Sequence, residues 1–339
     1  MQTHQIAVIA GDGVGQEIIP EAKRLLAELQ TKHGFRLEYQ DYPWGSDYYL
    51  QHGSMAPAGF LHDLRKSEAI LLGAVGHPKV PDHITLNGLL LPIRRTFDQY
   101  ANIRPAKLYK GVASPLALRK GEQIDLVVVR ENTEGEYAQV GGFVYSDQPQ
   151  EVAIQTSVFT RRGVERVVRV AFKLARERNR KRKVTSVTKS NAQGYSLVLW
   201  DRAFAAVAEE FPDIATESLL VDAAAMNFIR RPESFDVVVA SNLFGDILSD
   251  ISAMIIGSMG LAPSANLDPS RRNPSMFEPV HGSAPDIAFK GIVNPLATFL
   301  CLEQMLQHLG HAAAAADIAR AITSVLADTD VRTPDLGGN

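Results

Sequence analysis

Asp246 and Asp250, four residues apart in "SNLFGDILSD", offer the clearest pair of groups for chemistry. On a helix this spacing puts both carboxylates on one face. Like charges so placed repel, and a cation between them removes that cost. A hard divalent ion such as Mg²⁺ or Mn²⁺ takes oxygen ligands of this kind. The plainer account is a pair of solvated helix acids. Against it stand the apolar neighbours Ile247, Leu248 and Ile251, which argue that the face is not wholly exposed. Ser241 and Asn242, just ahead, are residue types that cap a helix N-terminus.

Arginines form a second group: Arg94, Arg95 and Arg104 in "LLPIRRTFDQYANIRPAKL", and Arg130 in "VVVRENTEGEY". Arginine at the end of an apolar strand is a poor core residue unless it meets an anion. Its planar fork grips carboxylates through two parallel hydrogen bonds, so a small polycarboxylate is a natural partner. Arg95 reads as an ordinary surface residue, whereas Arg130 ends an apolar strand and does not. Lys189 in "TKSN" also ends a strand, and desolvation would lower its pKa. Tyr137 in "GEY" can serve as an acid. Neither is diagnostic alone, because such residues are most often simply solvated. Finally, "FEPVHGSAPDIAFKGIVNP" (277–295) offers backbone N–H groups around Gly282 and Ser283 that can cradle phosphates. There Asp286 is placed to accept from ribose hydroxyls. The competing account is a polar loop rich in turn residues.

Short apolar runs alternate with amphipathic stretches and must position these groups. "IAVIA", "AILLGAV", "DLVVV", "KVTSVT" and "FDVVVAS" read as buried strands. Helical faces run through Val14, Ile18, Ile19, Ala22, Leu25, Leu26 and Leu29, and through Val164, Val167, Val168, Ala171, Leu174 and Ala175. Strands alternating with helices imply an α/β architecture with an at least partly parallel sheet. The stretch 143–159 reads as hairpin material, an arm suited to a partner subunit. The first strand runs into Gly11, Gly13 and Gly15, a G-x-G-x-G spacing with Gln16 where a dinucleotide fingerprint needs its third glycine. Glu38 lies at a plausible distance for the ribose acid. A tight turn with Asp12 bonding backbone is at least as good an account.

The chain has 339 residues, 45% of them hydrophobic, enough for two interlocked domains. A net charge of -3 gives no electrostatic case for nucleic acid or an anionic membrane. The basic run Arg176–Lys183 has no interleaved aromatics and reads as a solvated helix end. With Cys301 the sole cysteine, neither an intrachain disulfide nor a cysteine zinc cluster can form. No signal peptide pattern and no apolar run of about 20 residues is present, so the expectation is a cytoplasmic protein without a membrane span.

Taken together, "NIRP", "VVVRENTEGEY", "TKSN", "SNLFGDILSD" and "EPVHGSAPDIAFKGIVNP" make the chain resemble the β-decarboxylating dehydrogenases over nearly its whole length. That family includes isopropylmalate, isocitrate, homoisocitrate and tartrate/D-malate dehydrogenases. "GAVGHPKVPDHITL", "FDQY", "SVFTRRGVERVVRVAF" and "LAPSANLDP" are most similar to the tartrate/D-malate branch. The resemblance implies an isopropylmalate dehydrogenase-like α/β fold with mixed sheets, not a Rossmann fold. It implies a larger domain of residues 1–101 plus 256–339 and a smaller one of 102–255 carrying the dimer interface and arm. A homodimer with shared active sites is expected.

The roles the resemblance implies are specific. Arg94, Arg104 and Arg130 would bind the carboxylates of a small dicarboxylate substrate. Asp246 and Asp250 would hold Mg²⁺ or Mn²⁺ together with Asp222 from the other subunit, with K⁺ as an accompanying cation. Lys189, also from the other subunit, would be the base and Tyr137 the acid. His281, Gly282, Ser283, Ala284, Asp286, Ile287 and Asn294 would line the adenosine side of the cofactor site, with Val14 at the adenine and Asn191 near the nicotinamide. Asp286 implies NAD⁺, because a carboxylate repels the 2′-phosphate of NADP⁺. Asn87 stands where the tartrate/D-malate branch has Trp, facing the substrate's variable group beside Leu90. The apolar Leu89–Leu91 run argues against a third substrate carboxylate. The reaction so implied is oxidative decarboxylation of D-malate or tartrate, with 3-isopropylmalate as the rival substrate and a catalytically silent regulatory subunit as the rival class.

Overall fold

The computed structural model describes residues 2–119 and 121–338. The chain divides into two compact units, Met1–Ile124 with Ser252–Asn339, and Asp125–Ile251.

The first unit is built around β1 (Thr3–Gly11), whose Ile6, Ala7, Val8 and Ile9 are fully buried. It pairs in parallel with β2 (Arg36–Asp41) and β3 (Ala69–Ala74). An unbroken apolar run is what a strand covered on both faces requires. Next to β3 lies β12 (Ser275–Pro279), also parallel. Then β11 (Pro263–Leu267) runs antiparallel to both β12 and β4 (Ala101–Lys107). These antiparallel pairings make the sheet mixed and separate it from an all-parallel Rossmann sheet. Pairing of β4 with β11 also keeps the segment after residue 101 in this unit, so its boundary falls at Ile124. The covering helices are α1 (Gly15–His33), α10 (Leu296–His308) and α11 (Ala312–Asp328). α1 buries Ile18, Ile19, Ala22, Leu26 and Leu29, and ends at Gly34, whose φ of 69° supplies the left-handed C-cap. Shorter helices α2 (Ser46–His52), α3 (Phe60–Leu64) and α4 (Asp82–Thr85) lead to a π-helical turn at Leu86–Leu90 and then α5 (Leu91–Thr96).

In the second unit the order is β5 (Asp125–Glu131), β10 (Val237–Ala240), β8 (Lys183–Thr188) and β9 (Ala215–Leu220), all parallel. Its helices are α6 (Arg161–Arg178), α7 (Ser196–Ala208), α8 (Val221–Arg230) and α9 (Asn242–Ile255), the last belonging to this unit as far as Ile251. Thr160 caps α6, its hydroxyl accepting from Gly163 N–H at 2.9 Å. The hairpin comprises β6 (Gly135–Val144) and β7 (Val152–Val158), so it begins earlier than residue 143 and carries Tyr137 on its first strand. Its tip exposes Phe143, Val144 and Tyr145. The basic run is a helix end matched by acids: Arg176 and Arg182 pair with Asp213, Arg178 with Asp125 and Asp236, and Lys183 with Glu217. No helix among the described residues is long and apolar enough to cross a membrane.

Candidate active site

In the second unit, strand order puts the ends of β5 and β10 side by side, with Ala240 opposite Arg130. α9 starts directly after β10. Its Asn242 is buried, and the side-chain oxygen accepts from Arg130 Nε at 3.0 Å and Nη2 at 2.7 Å. The Asn242 amide donates to Glu134 O at 3.0 Å. One turn on, Asp246 accepts from Arg130 Nη1 and, at 2.9 Å, from the Tyr137 hydroxyl. The Tyr137 ring centroid lies 5.3 Å from the Arg130 guanidinium carbon. Arg130, Tyr137 and Asp246 are thus brought together by three segments, 130–137, β10 and α9. At the start of α9 the Glu136 side chain accepts from Leu243 N–H at 3.1 Å and from the Ser241 hydroxyl at 2.7 Å, while Ser241 O accepts from Gly245 N–H at 2.8 Å. A carboxylate there also suits the positive end of the helix dipole.

Glu131 is wholly buried and accepts from Thr133 N–H, the Thr133 hydroxyl and Glu134 N–H at 2.9, 2.8 and 2.9 Å. Burial pushes its pKa up to about 6 despite these donors. Lys189 and Asp222 form their own pair, Nζ to Oδ1 at 2.5 Å, at the ends of β8 and β9. The Lys189 hydrogen bond holds Asp222 below the ordinary carboxylate value. Asn191 is exposed on the loop after β8.

The carboxylates fit a hard cation in kind. Asp246 and Asp250 are a turn apart on α9, and Asp250 is exposed. Among the described residues no group of three or more His, Cys, Asp or Glu side chains could hold a metal ion. Asp246 and Asp250 are oxygen donors of the right kind, and a full oxygen shell takes more than two such groups. Ile247, which the sequence suggested was shielded, is 49% exposed in the single chain.

The first unit holds the other arginines and the loop 281–294 expected to face a cofactor. Arg94 on α5 is buried, and its Nη2 donates to Glu278 on β12 at 2.7 Å. Asn266 Nδ2 reaches the same Glu278 oxygen at 2.8 Å. Arg94 Nε is buried without a hydrogen-bond partner among the described residues, which is spare donor capacity for an anionic ligand group. Arg104 on β4 is also buried. Asn87 sits on the π-helical turn, its amide donating to His83 O at 2.7 Å. Leu90, expected at the substrate's variable group, is only 5% exposed and packs in the core with Leu89, Ile93 and Phe97.

The loop after β12 is shaped by the first glycine turn. Gly11 (φ 71°) and Gly13 (φ 52°) are left-handed, and a Cβ on Gly13 would lie 2.1 Å from Ser283 O. Val14 N–H donates to that oxygen at 2.9 Å. Its side chain is fully buried, so what Val14 offers the loop is its backbone, not a surface for adenine. Asp12 accepts from Ser46 N–H, the Ser46 hydroxyl and Gly76 N–H at 2.8, 2.6 and 2.8 Å, the backbone-bonding role weighed for it from sequence. A cleft of about 710 Å³ is lined by Val75–Asp82 and Gly282–Pro285. Ala284 borders it, and Asp286 and Ile287 follow, Asp286 being exposed. His281 donates through Nδ1 to Gly282 O at 3.0 Å in the tautomer that satisfies that carbonyl. Its buried Nε2 then is an acceptor with no partner among the described residues. Burial lowers its pKa. An acceptor and a bank of backbone beside a cleft of this size suit a nucleotide.

Sequence reasoning missed four supporting carboxylates: Glu17, Glu136, Glu278 and Asp335. Asp335 accepts from the Ser258 hydroxyl at 2.5 Å and from the Asn294 amide at 2.9 Å, while Asn294 Oδ1 takes Leu296 N–H at 3.0 Å at the start of α10. No local pattern marks these acids, because each acts on a distant segment.

The pattern of the isocitrate/isopropylmalate dehydrogenases matches residues 5–339. A probable tartrate dehydrogenase/decarboxylase of Agrobacterium vitis is 50% identical over 339 residues, covering 100% of this chain and 94% of the relative. The tartrate dehydrogenase/decarboxylase of Pseudomonas putida is 51% identical, covering 98% and 93%. The decarboxylating D-malate dehydrogenase of Escherichia coli K12 is 49% identical, covering 100% and 95%. Among solved structures, isocitrate dehydrogenase from Methylococcus capsulatus superposes with a TM-score of 0.89 at 36% identity, covering 98% of this chain and 94% of that one. The chain belongs to the isocitrate/isopropylmalate dehydrogenase family.

Proposed function

We propose that this protein oxidises and decarboxylates a 2-hydroxy acid bearing a β-carboxylate, with D-malate and tartrate as substrates, NAD⁺ as oxidant and Mg²⁺ or Mn²⁺ as metal. The observation that carries this reading is the buried Arg130 joined to Asp246 and Asn242, with Tyr137 on the same carboxylate. Relatives about half identical over their length, named for tartrate and D-malate, support the substrate class.

Arg94, Arg104 and Arg130 bind the substrate's carboxylates and fix its orientation. Asp246 and Asp250, with Asp222 of the other subunit in a homodimer, are the residues that would hold the cation. Bound metal supplies polarisation of the 2-oxygen, and bound NAD⁺ the acceptor for the C2 hydrogen. Lys189 removes the 2-hydroxyl proton at Nζ. Loss of the β-carboxylate as CO₂ from the resulting 2-keto acid leaves an enolate, and the Tyr137 hydroxyl protonates its carbon. His281, Gly282, Ser283, Ala284, Asp286, Ile287 and Asn294 hold the adenosine half of the dinucleotide. Asp286 favours NAD⁺, since its charge accepts ribose hydroxyls and repels a phosphate.

The deciding assay follows nicotinamide reduction with Mn²⁺ and K⁺, NAD⁺ or NADP⁺, and D-malate, tartrate, 3-isopropylmalate or isocitrate. Turnover of D-malate or tartrate with NAD⁺ is expected. Turnover of 3-isopropylmalate alone would overturn the substrate assignment, and none at all would favour a regulatory subunit. A preference for NADP⁺ would remove Asp286 from its role. Lys189→Ala should abolish hydride transfer while sedimentation still reports a dimer.

A further inference from the structure

The first turn of α1 grips the cofactor loop a second time, beyond the Gly13–Ser283 contact. The Glu17 carboxylate accepts from Phe289 N–H at 2.5 Å and from Gly291 N–H at 3.3 Å. Between the Ser283 and Phe289 anchors the chain makes one irregular turn. Ile287 and Ala288 N–H reach Ala284 O at 3.1 and 3.2 Å, and Lys290 N–H reaches Ile287 O at 3.3 Å. Asp286 lies on that turn.

The turn is strained. Phe289 has φ of 61° and Ala284 φ of 39°, left-handed values unfavourable for residues with a side chain. The Phe289 ring is 73% exposed, so packing does little to hold it there. What does hold it is a charged acceptor on its N–H, a stronger bond than one to a neutral oxygen. Glu17 is itself well placed, because a carboxylate in the first turn is favoured by the dipole of α1.

We propose that Glu17 is a positioning residue for the dinucleotide: by fixing Phe289 and Gly291 it sets the turn that presents Asp286. This rests on the cofactor assignment above and extends it to a residue on another element. Glu17 touches no reacting atom, so its loss acts on the dinucleotide and not on the dicarboxylate.

The test is NADH binding by fluorescence titration, with steady-state kinetics and thermal unfolding, on the wild type, Glu17→Ala, Glu17→Gln and the double variant Glu17→Ala/Phe289→Gly. Loss of a charge-assisted bond predicts a Kd for NADH and a KM for NAD⁺ roughly tenfold higher in Glu17→Ala. The KM for the dicarboxylate should be unchanged. Glu17→Gln, which keeps one acceptor oxygen, should lose less. Glycine adopts the left-handed region without strain, so Phe289→Gly should recover part of the affinity in the alanine background. Wild-type NADH affinity in Glu17→Ala overturns the proposal, even if its melting temperature falls. So does an equal rise in KM for both substrates. Failure of the wild type itself to bind NADH would overturn the cofactor assignment along with it.

Discussion

Asn242 and Arg130 are joined by a two-point side-chain contact at the start of α9. One amide oxygen accepts from two guanidinium nitrogens, at 3.0 and 2.7 Å, with both residues buried. The rest of the guanidinium is thereby aimed at Asp246. An arginine with many rotamers is thereby held in one orientation.

Asn242→Leu keeps the volume and removes the one oxygen that accepts both bonds. A hydrogen bond to a charged group contributes about 1.5–3 kcal/mol, so kcat/KM should fall roughly 10- to 150-fold. The loss should sit in the KM for the dicarboxylate, with NADH binding unchanged. Steady-state kinetics beside an NADH titration checks this, and an unaltered KM would refute it.

Tyr137→Phe retains the ring near Arg130 and deletes only the hydroxyl on Asp246. If that hydroxyl is the acid, kcat should drop roughly 10²- to 10⁴-fold while the substrate KM moves little. A kcat within a few-fold of wild type would take the role away from Tyr137.

Glu131 makes stability depend on pH. Its folded pKa, about 6, lies above the ordinary 4.5, so the folded chain binds the proton more tightly than the unfolded chain. Its contribution to stability is therefore full below pH 4.5 and declines as pH rises through about 6, by about 2 kcal/mol in all. Glu131→Gln cannot titrate. The stability difference between wild type and this variant, from denaturant unfolding at several pH values, should shift by that amount across the window. A difference independent of pH would contradict the buried-acid account.

Cys301 on α10 is wholly buried, and burial pushes its thiol pKa well up. The thiolate is the reactive form. Ellman's reagent should leave the native protein unlabelled over the time in which a free thiol reacts fully. One thiol per chain should appear in guanidinium chloride. Rapid native labelling would show that α10 opens.

Much of the fold is legible where one residue type repeats. "IAVIA", "AILLGAV", "DLVVV" and "FDVVVAS" mark β1, β3, β5 and β10, because strands covered on both faces are largely apolar. β11 and β12 escape that reading. "PSANL" and "SMFEP" mix Pro, Asn and Glu, and are buried because their polar side chains satisfy one another. Asn102 donates to the Ser264 hydroxyl at 2.7 Å and to Asn266 Oδ1 at 3.1 Å, pairings across more than 160 positions. Periodicity cannot report a partner that far away.

Residue type and spacing in the sequence alone determined the α/β class, the mixed chemistry of arginine, carboxylate, lysine and tyrosine, and the motifs shared with the family. Tertiary structure decided which of these groups act on one another. It fixed Arg130 through Asn242, put Tyr137 on Asp246, and paired Lys189 with Asp222. It also decided between the two readings of "GDGVGQE" in favour of a brace: Asp12 accepts from the backbone at Ser46 and Gly76, Gly13 admits Ser283, and Glu17 holds Phe289. The reason is physical. A hydrogen bond needs its atoms within about 3.5 Å, and between residues 270 positions apart only the folded backbone sets that distance.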